Sequence, residues 1–134
     1  MPRPDQCIEV DDARKLQDQW VGTRAQEIRN ARGFQDTREF WFSLDVLQEF
    51  IDYIKEESPA GSKPGVRIYF GSYKPGEGPD YGKGEGGKKG YSTVFLAPTL
   101  EEASAADSTQ TTQINNYDID PLNNGEGGVP PTTY

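Results

Sequence analysis

The segment from Lys74 to Gly90 constrains this chain more than any other feature. Its seventeen residues hold seven glycines and two prolines, and Tyr81 is their only large apolar side chain. Glycine loses the most backbone freedom on folding and proline removes a donor, so such a run forms neither helix nor strand. It reads as a long hairpin or crossover loop, and the elements on either side must supply the core.

Both neighbours read as strands. In "GVRIYFGSY", Val66, Ile68 and Phe70 alternate with Arg67, Tyr69 and Gly71, the period of a strand with one face on a core. A second strand is expected at Tyr91 to Ala97. Upstream, Ala13, Leu16, Trp20, Ala25, Ile28 and Ala31 recur at mostly helical spacing, giving one amphipathic helix from Val10 to about Arg32 with Gly33 at its end. Ser43 caps a second helix whose stripe is Leu44, Leu47, Phe50, Ile51 and Ile54, and Pro59 stops it. A short extended piece at Arg38 to Phe42 precedes it. There Trp41 points away from Phe40 and Phe42, so one side is core and the other is either a partner anchor or covered by the first helix or the tail.

These elements predict an α+β fold: a small, mainly antiparallel sheet of about three strands, two helices on one face, and an irregular C-terminal tail packed on the domain. Residues 1–9 form an N-terminal arm, 10–99 the core with its flexible loop at 74–90, and 100–134 an acidic tail. Ile114, Tyr117, Ile119, Leu122, Val129 and Tyr134 make that tail more apolar than a disordered segment, so it is expected to be partly docked.

Charge narrows the function classes. The net charge is −8, distributed as −5 over residues 1–60, +3 over 61–99 and −6 over 100–134. An acidic total opposes non-specific binding to nucleic acid or an anionic membrane. The chain has no histidine and one cysteine, Cys7, which removes the commonest general base, ordinary zinc sites and internal disulfides. No apolar run has the length of a signal peptide or a membrane span, so a cytoplasmic protein is expected. The acidic tail beside the basic middle suggests that the tail lies over Lys74, Lys83, Lys88 and Lys89.

Four motifs depend on their physical context. Gly82, Gly84 and Gly87 fit G-x-G-x-x-G, and Gly82 to Lys88 fits a phosphate loop, but a phosphate cradle needs a helix N-terminus behind it. A strand follows instead, and Lys89 stands where the magnesium-binding hydroxyl belongs. Lys89, Gly90, Tyr91 and Val94 echo an RNA-stacking strand, with Thr93 in place of the central ring. Asp118, Asp120, Asn123, Asn124 and Glu126 gather oxygen ligands that Ca²⁺ could use, although Leu122 and Asn123 break the EF-hand spacing. Asp52 and Glu56 lie one turn apart on the second helix, the ordinary pattern of a solvated face.

The order "ARKLQDQWVGTRAQEI…DTREFWFSLDVLQEFIDYIKEE…GVRIYFGSY…STVFLAPT…PLNNGEGGVPP" resembles a family of small bacterial proteins. In that family a W-F-S-L helix start is followed by an R-I-Y-F strand, a short strand ending in P-T, and an N-x-G-x-G-x-P-P tail. The resemblance runs from Ala13 onward and skips the glycine-rich loop. It implies no activity, cofactor or site residue. It does imply that the tail belongs to the domain and that Gly82 to Gly90 is a variable insert.

The functional expectation is a non-catalytic adaptor or regulatory module acting by protein contact, with Trp41, Tyr69, Tyr73 and Tyr91 as surface anchors and Arg67 as a charged neighbour. No cofactor is expected; the partner is a protein or a second copy, not nucleic acid or membrane. The alternatives are a self-assembling structural protein, through a sheet edge or the tail, and a small carboxylate-based hydrolase or ligand-binding protein.

Overall fold

The computed structural model describes residues 1–81, 89–103 and 111–134. Helix α1 (Val10–Gly22) carries Asp11 and Asp12 in its first turn, where carboxylates meet the positive end of the helix dipole. The helix expected to run on to Arg32 breaks at Thr23, whose φ of −124° and ψ of −84° are not helical. Gly22 has low helix propensity, and Thr23 Oγ1 donates to Gln19 O at 2.5 Å, so side chain and backbone compete for the same carbonyl. Helix α2 (Arg24–Arg32) restarts there. It ends as expected at Gly33, in the left-handed region at φ 79°.

Strand β1 (Phe40–Trp41) leads into α3 (Leu44–Glu57), capped by Ser43, whose Oγ accepts the Val46 N–H at 3.1 Å. Three antiparallel strands follow in the order β2-β3-β4: β2 (Gly65–Ser72), β3 (Ser92–Ala103) and β4 (Thr111–Asn115). A second sheet is the two-stranded ribbon of β1 with β5 (Glu126–Gly127). This is the expected α+β architecture with an antiparallel sheet.

The tail is docked, as the sequence suggests, and more regular than expected. Strand β3 crosses the boundary placed at residue 100, and β4 and β5 both come from the tail. Leu122 exchanges two backbone hydrogen bonds with Leu96, at 2.8 and 2.9 Å, which extends the third row of the sheet. Close approach explains the tail's glycines. A Cβ on Gly125 would stand 2.6 Å from the Phe42 ring, and one on Gly127 2.7 Å from the Tyr81 ring.

Lys83 and Lys88 lie outside the described residues, and among the described residues no ion pair joins the tail to Lys74 or Lys89; Glu101 pairs instead with Lys63, at 3.7 Å.

The core is small. Phe50 and Ile54 of α3 and Ile119 of the tail are buried, with Leu96 and Leu122 packed against them. Neither α1 nor α2 buries a residue. Strand β2 therefore departs from expectation in its exposure. Val66, Ile68 and Phe70 lie in the open, while Arg67, Tyr69 and Gly71 are half-buried. The core reaches the middle strand and stops short of β2, at the sheet's edge.

Candidate protein-contact surface

Backbone pairing settles which side of β2 bonds to β3 and which is left without a strand among the described residues. The Tyr73 N–H bonds Tyr91 O at 3.1 Å, in the same register that pairs β2 with β3. In an antiparallel ladder, bonded and non-bonded pairs alternate, so the odd-numbered residues of β2 bond to β3. The N–H and C=O groups of Val66, Ile68 and Phe70 thus point outward, along the open edge.

The side chains of those three residues form one row, 42%, 64% and 84% exposed. Their register partners are Pro98, Leu96 and Val94, so the row lies on the face of the sheet that α3 covers at Leu96. At its far end the Trp20 ring of α1 stacks on Phe70, the ring centroids 6.4 Å apart. Beside this stack, Leu16, Trp20, Ile28, Phe40, Phe70 and Val94 line an apolar cavity of about 490 Å³. Sequence periodicity assigned the row to the core because alternation reveals two faces without saying which one is covered.

The opposite face of β2 carries two of the expected anchors, held in a polar network. Arg67 Nη1 donates to Asn115 Oδ1 at 2.7 Å and its Nη2 to Gln113 O at 2.8 Å, while Asn115 Nδ2 donates to the Tyr69 hydroxyl at 2.8 Å. Tyr69 also stacks on Phe95, with centroids 5.1 Å apart. The Asn115 hydrogen bond, with the Arg67 guanidinium beside it, holds the Tyr69 hydroxyl below the usual tyrosine range. These contacts tie β2 to β4 across the small Ala97 of β3, the register partner of Arg67.

The remaining anchors divide. Trp41 is 64% exposed, so the side of β1 that could have been covered by helix or tail is open. Glu39, Trp41 and Glu126 line a cleft of about 420 Å³, where Glu39 Oε1 accepts the Thr132 N–H. Tyr73 is half-buried, and its hydroxyl donates to Asn123 Oδ1 at 2.9 Å. Tyr91 corrects the expectation. At 5% exposure it is core, packed edge-on against Phe34 with centroids 5.4 Å apart, so it presents nothing to a partner.

The carboxylates are dispersed. Asp52 is exposed on α3 and accepts from Gln48 Nε2 at 3.0 Å, and Glu56 is exposed on the same helix. Asp36 lines a cavity of about 650 Å³ beside Tyr73 and Lys89, but its oxygens are engaged by the Ser92 N–H and hydroxyl and by the Thr37 N–H. Asp118, Asp120 and Glu126 do not come together: among the described residues no three His, Cys, Asp or Glu side chains form a group that could hold a metal ion. Cys7 is exposed and free. The phosphate-loop glycines Gly82, Gly84 and Gly87 lie outside the described residues. Among the described residues no helix is long and apolar enough to cross a membrane.

No family model, curated protein or solved structure matches the chain. The surfaces that can be read for function are those of its own geometry.

Proposed function

We propose that the protein is a small non-catalytic module that acts through protein–protein contact, using the open edge and apolar row of β2. One observation carries this reading: Val66, Ile68 and Phe70 are exposed on an edge strand whose outward backbone groups have no backbone partner among the described residues. An edge of that kind accepts an added strand, the new backbone hydrogen bonds supplying affinity and the side-chain row supplying selectivity. Edges not meant for pairing are blunted by lysine, proline or a bulge. Within Gly65–Ser72 there is no lysine or proline, and the pairing to β3 is continuous. Trp41 adds a second exposed aromatic of the type that anchors interfaces.

Photocrosslinking in cells producing the chain tests this. Benzoylphenylalanine in place of Phe70 is expected to form a covalent protein adduct, and the same group in place of Asp52, on the exposed side of α3, is expected to form none. Absence of any protein adduct from position 70 would remove the reading.

A further inference from the structure

We infer that the partner of β2 is the β2 strand of a second copy of this chain, paired antiparallel about a two-fold axis at Ile68. This rests on the protein-contact reading above and names the partner for that edge. Residues 65–71 read Gly-Val-Arg-Ile-Tyr-Phe-Gly, close to symmetric in size and polarity about Ile68. With Ile68 opposite its own copy, Val66 meets Phe70 of the second chain and Phe70 meets Val66. Every outward N–H and C=O of the three residues then finds a partner, making about six backbone hydrogen bonds. On the other face Gly65 falls opposite Gly71, and Arg67 opposite Tyr69.

Charge and register both favour this arrangement. Arg67 is the strand's only charge, and its guanidinium is turned toward Asn115 and Gln113, so no like charges meet at the seam. A slip by one residue sets outward backbone groups against inward ones. Moving the axis to Phe70 puts Val66 opposite Lys74, and moving it to Val66 puts Ile68 opposite Pro64, which has no N–H to give. The contact also closes on itself. It uses both β2 edges and leaves β4 outermost, where Thr111, Thr112 and Gln113 are exposed and polar, so the product is a dimer with one six-stranded sheet and not a filament. Each copy carries −8, so the two repel at long range, and added salt tightens the dimer.

The test is sedimentation velocity on the full chain over about three decades of concentration. A concentration-dependent dimer is expected, strengthened by salt. Ile68→Lys places two ammonium groups directly opposite each other and is expected to weaken the dimer about tenfold or more, with an unchanged thermal midpoint of the monomer because the side chain is exposed. Register is read by oxidation in a Cys7→Ser background. Ile68→Cys sits about 5.5 Å, Cα to Cα, from its copy, within disulfide reach. Val66→Cys is about 13 Å or more from its own copy and is expected to cross-link far more slowly. A strict monomer overturns the dimer; a Phe70 adduct with some other protein would then leave the contact reading standing alone. A dimer that survives Ile68→Lys, or one in which Val66→Cys links as fast as Ile68→Cys, overturns the β2 pairing.

Discussion

At the scale of single residues, the tail is held by what its glycines leave out. Gly127 is buried under the Tyr81 ring and Gly125 under Phe42, with no room for a methyl group. Gly127→Ala is therefore expected to cost about 1–3 kcal/mol in denaturant unfolding, the usual penalty for overpacking. Gly22→Ala is the contrast: nothing lies within 4 Å of its added Cβ, and a gain of up to about 1 kcal/mol in the same assay is expected from helix propensity. Some single-residue behaviour was legible in the sequence. Alternation along Phe40, Trp41 and Phe42 placed Trp41 opposite its neighbours, and it is the exposed member. Other behaviour was not. Arg67 finds Asn115 from 48 residues away, and Tyr91 is buried by Phe34 and Tyr81, contacts that no local pattern encodes.

At the scale of elements, local signals located the helices and the first three strands and missed the last two. Thr111–Asn115 is mostly Thr, Gln and Asn and lacks the apolar alternation that announces a strand, while β5 is two residues long. Their pairing is decided by partners remote in sequence. The β3–β4 hairpin is secured by a side-chain contact with a pH signature. Glu101 accepts from Thr111 Oγ1 at 2.6 Å and lies 3.7 Å from Lys63 Nζ. The Thr111 hydrogen bond chiefly, with the Lys63 charge, holds its carboxyl below the usual range. A carboxyl depressed in the folded state contributes stability above its unfolded pKa and loses that contribution as pH falls through the lowered value. Amide protection factors over Thr111–Asn115 should accordingly decline on acidification through the carboxylate range, whereas Glu101→Gln should show a flatter profile from the start. A wild-type profile as flat as that of the variant would refute this coupling.

At the scale of the whole molecule, two ends of the chain share one structure. Ile119 completes the core of α3, Leu122 extends the sheet beside Leu96, β5 pairs with β1, and the Tyr134 N–H reaches Gln17 Oε1 on α1 at 3.0 Å. Removing residues 116–134 is expected to abolish the cooperative thermal transition, because Phe50 and Ile54 would lose Ile119 and Leu122 together. A truncated chain that melts cooperatively at the wild-type midpoint would show that the tail is an appendage. Fold class was legible because helix and strand periodicities survive in the first hundred residues. The open surface was not, since exposure of β2 follows from how far a small core extends, a global quantity.

The stack of Trp20 on Phe70 has an optical consequence. The chain has two tryptophans, one at the end of the β2 edge and one at the solvent-facing ribbon. Its native fluorescence thus combines an indole beside the β2 edge with an indole away from that edge, so a strand added there would be followed by emission without attaching a dye.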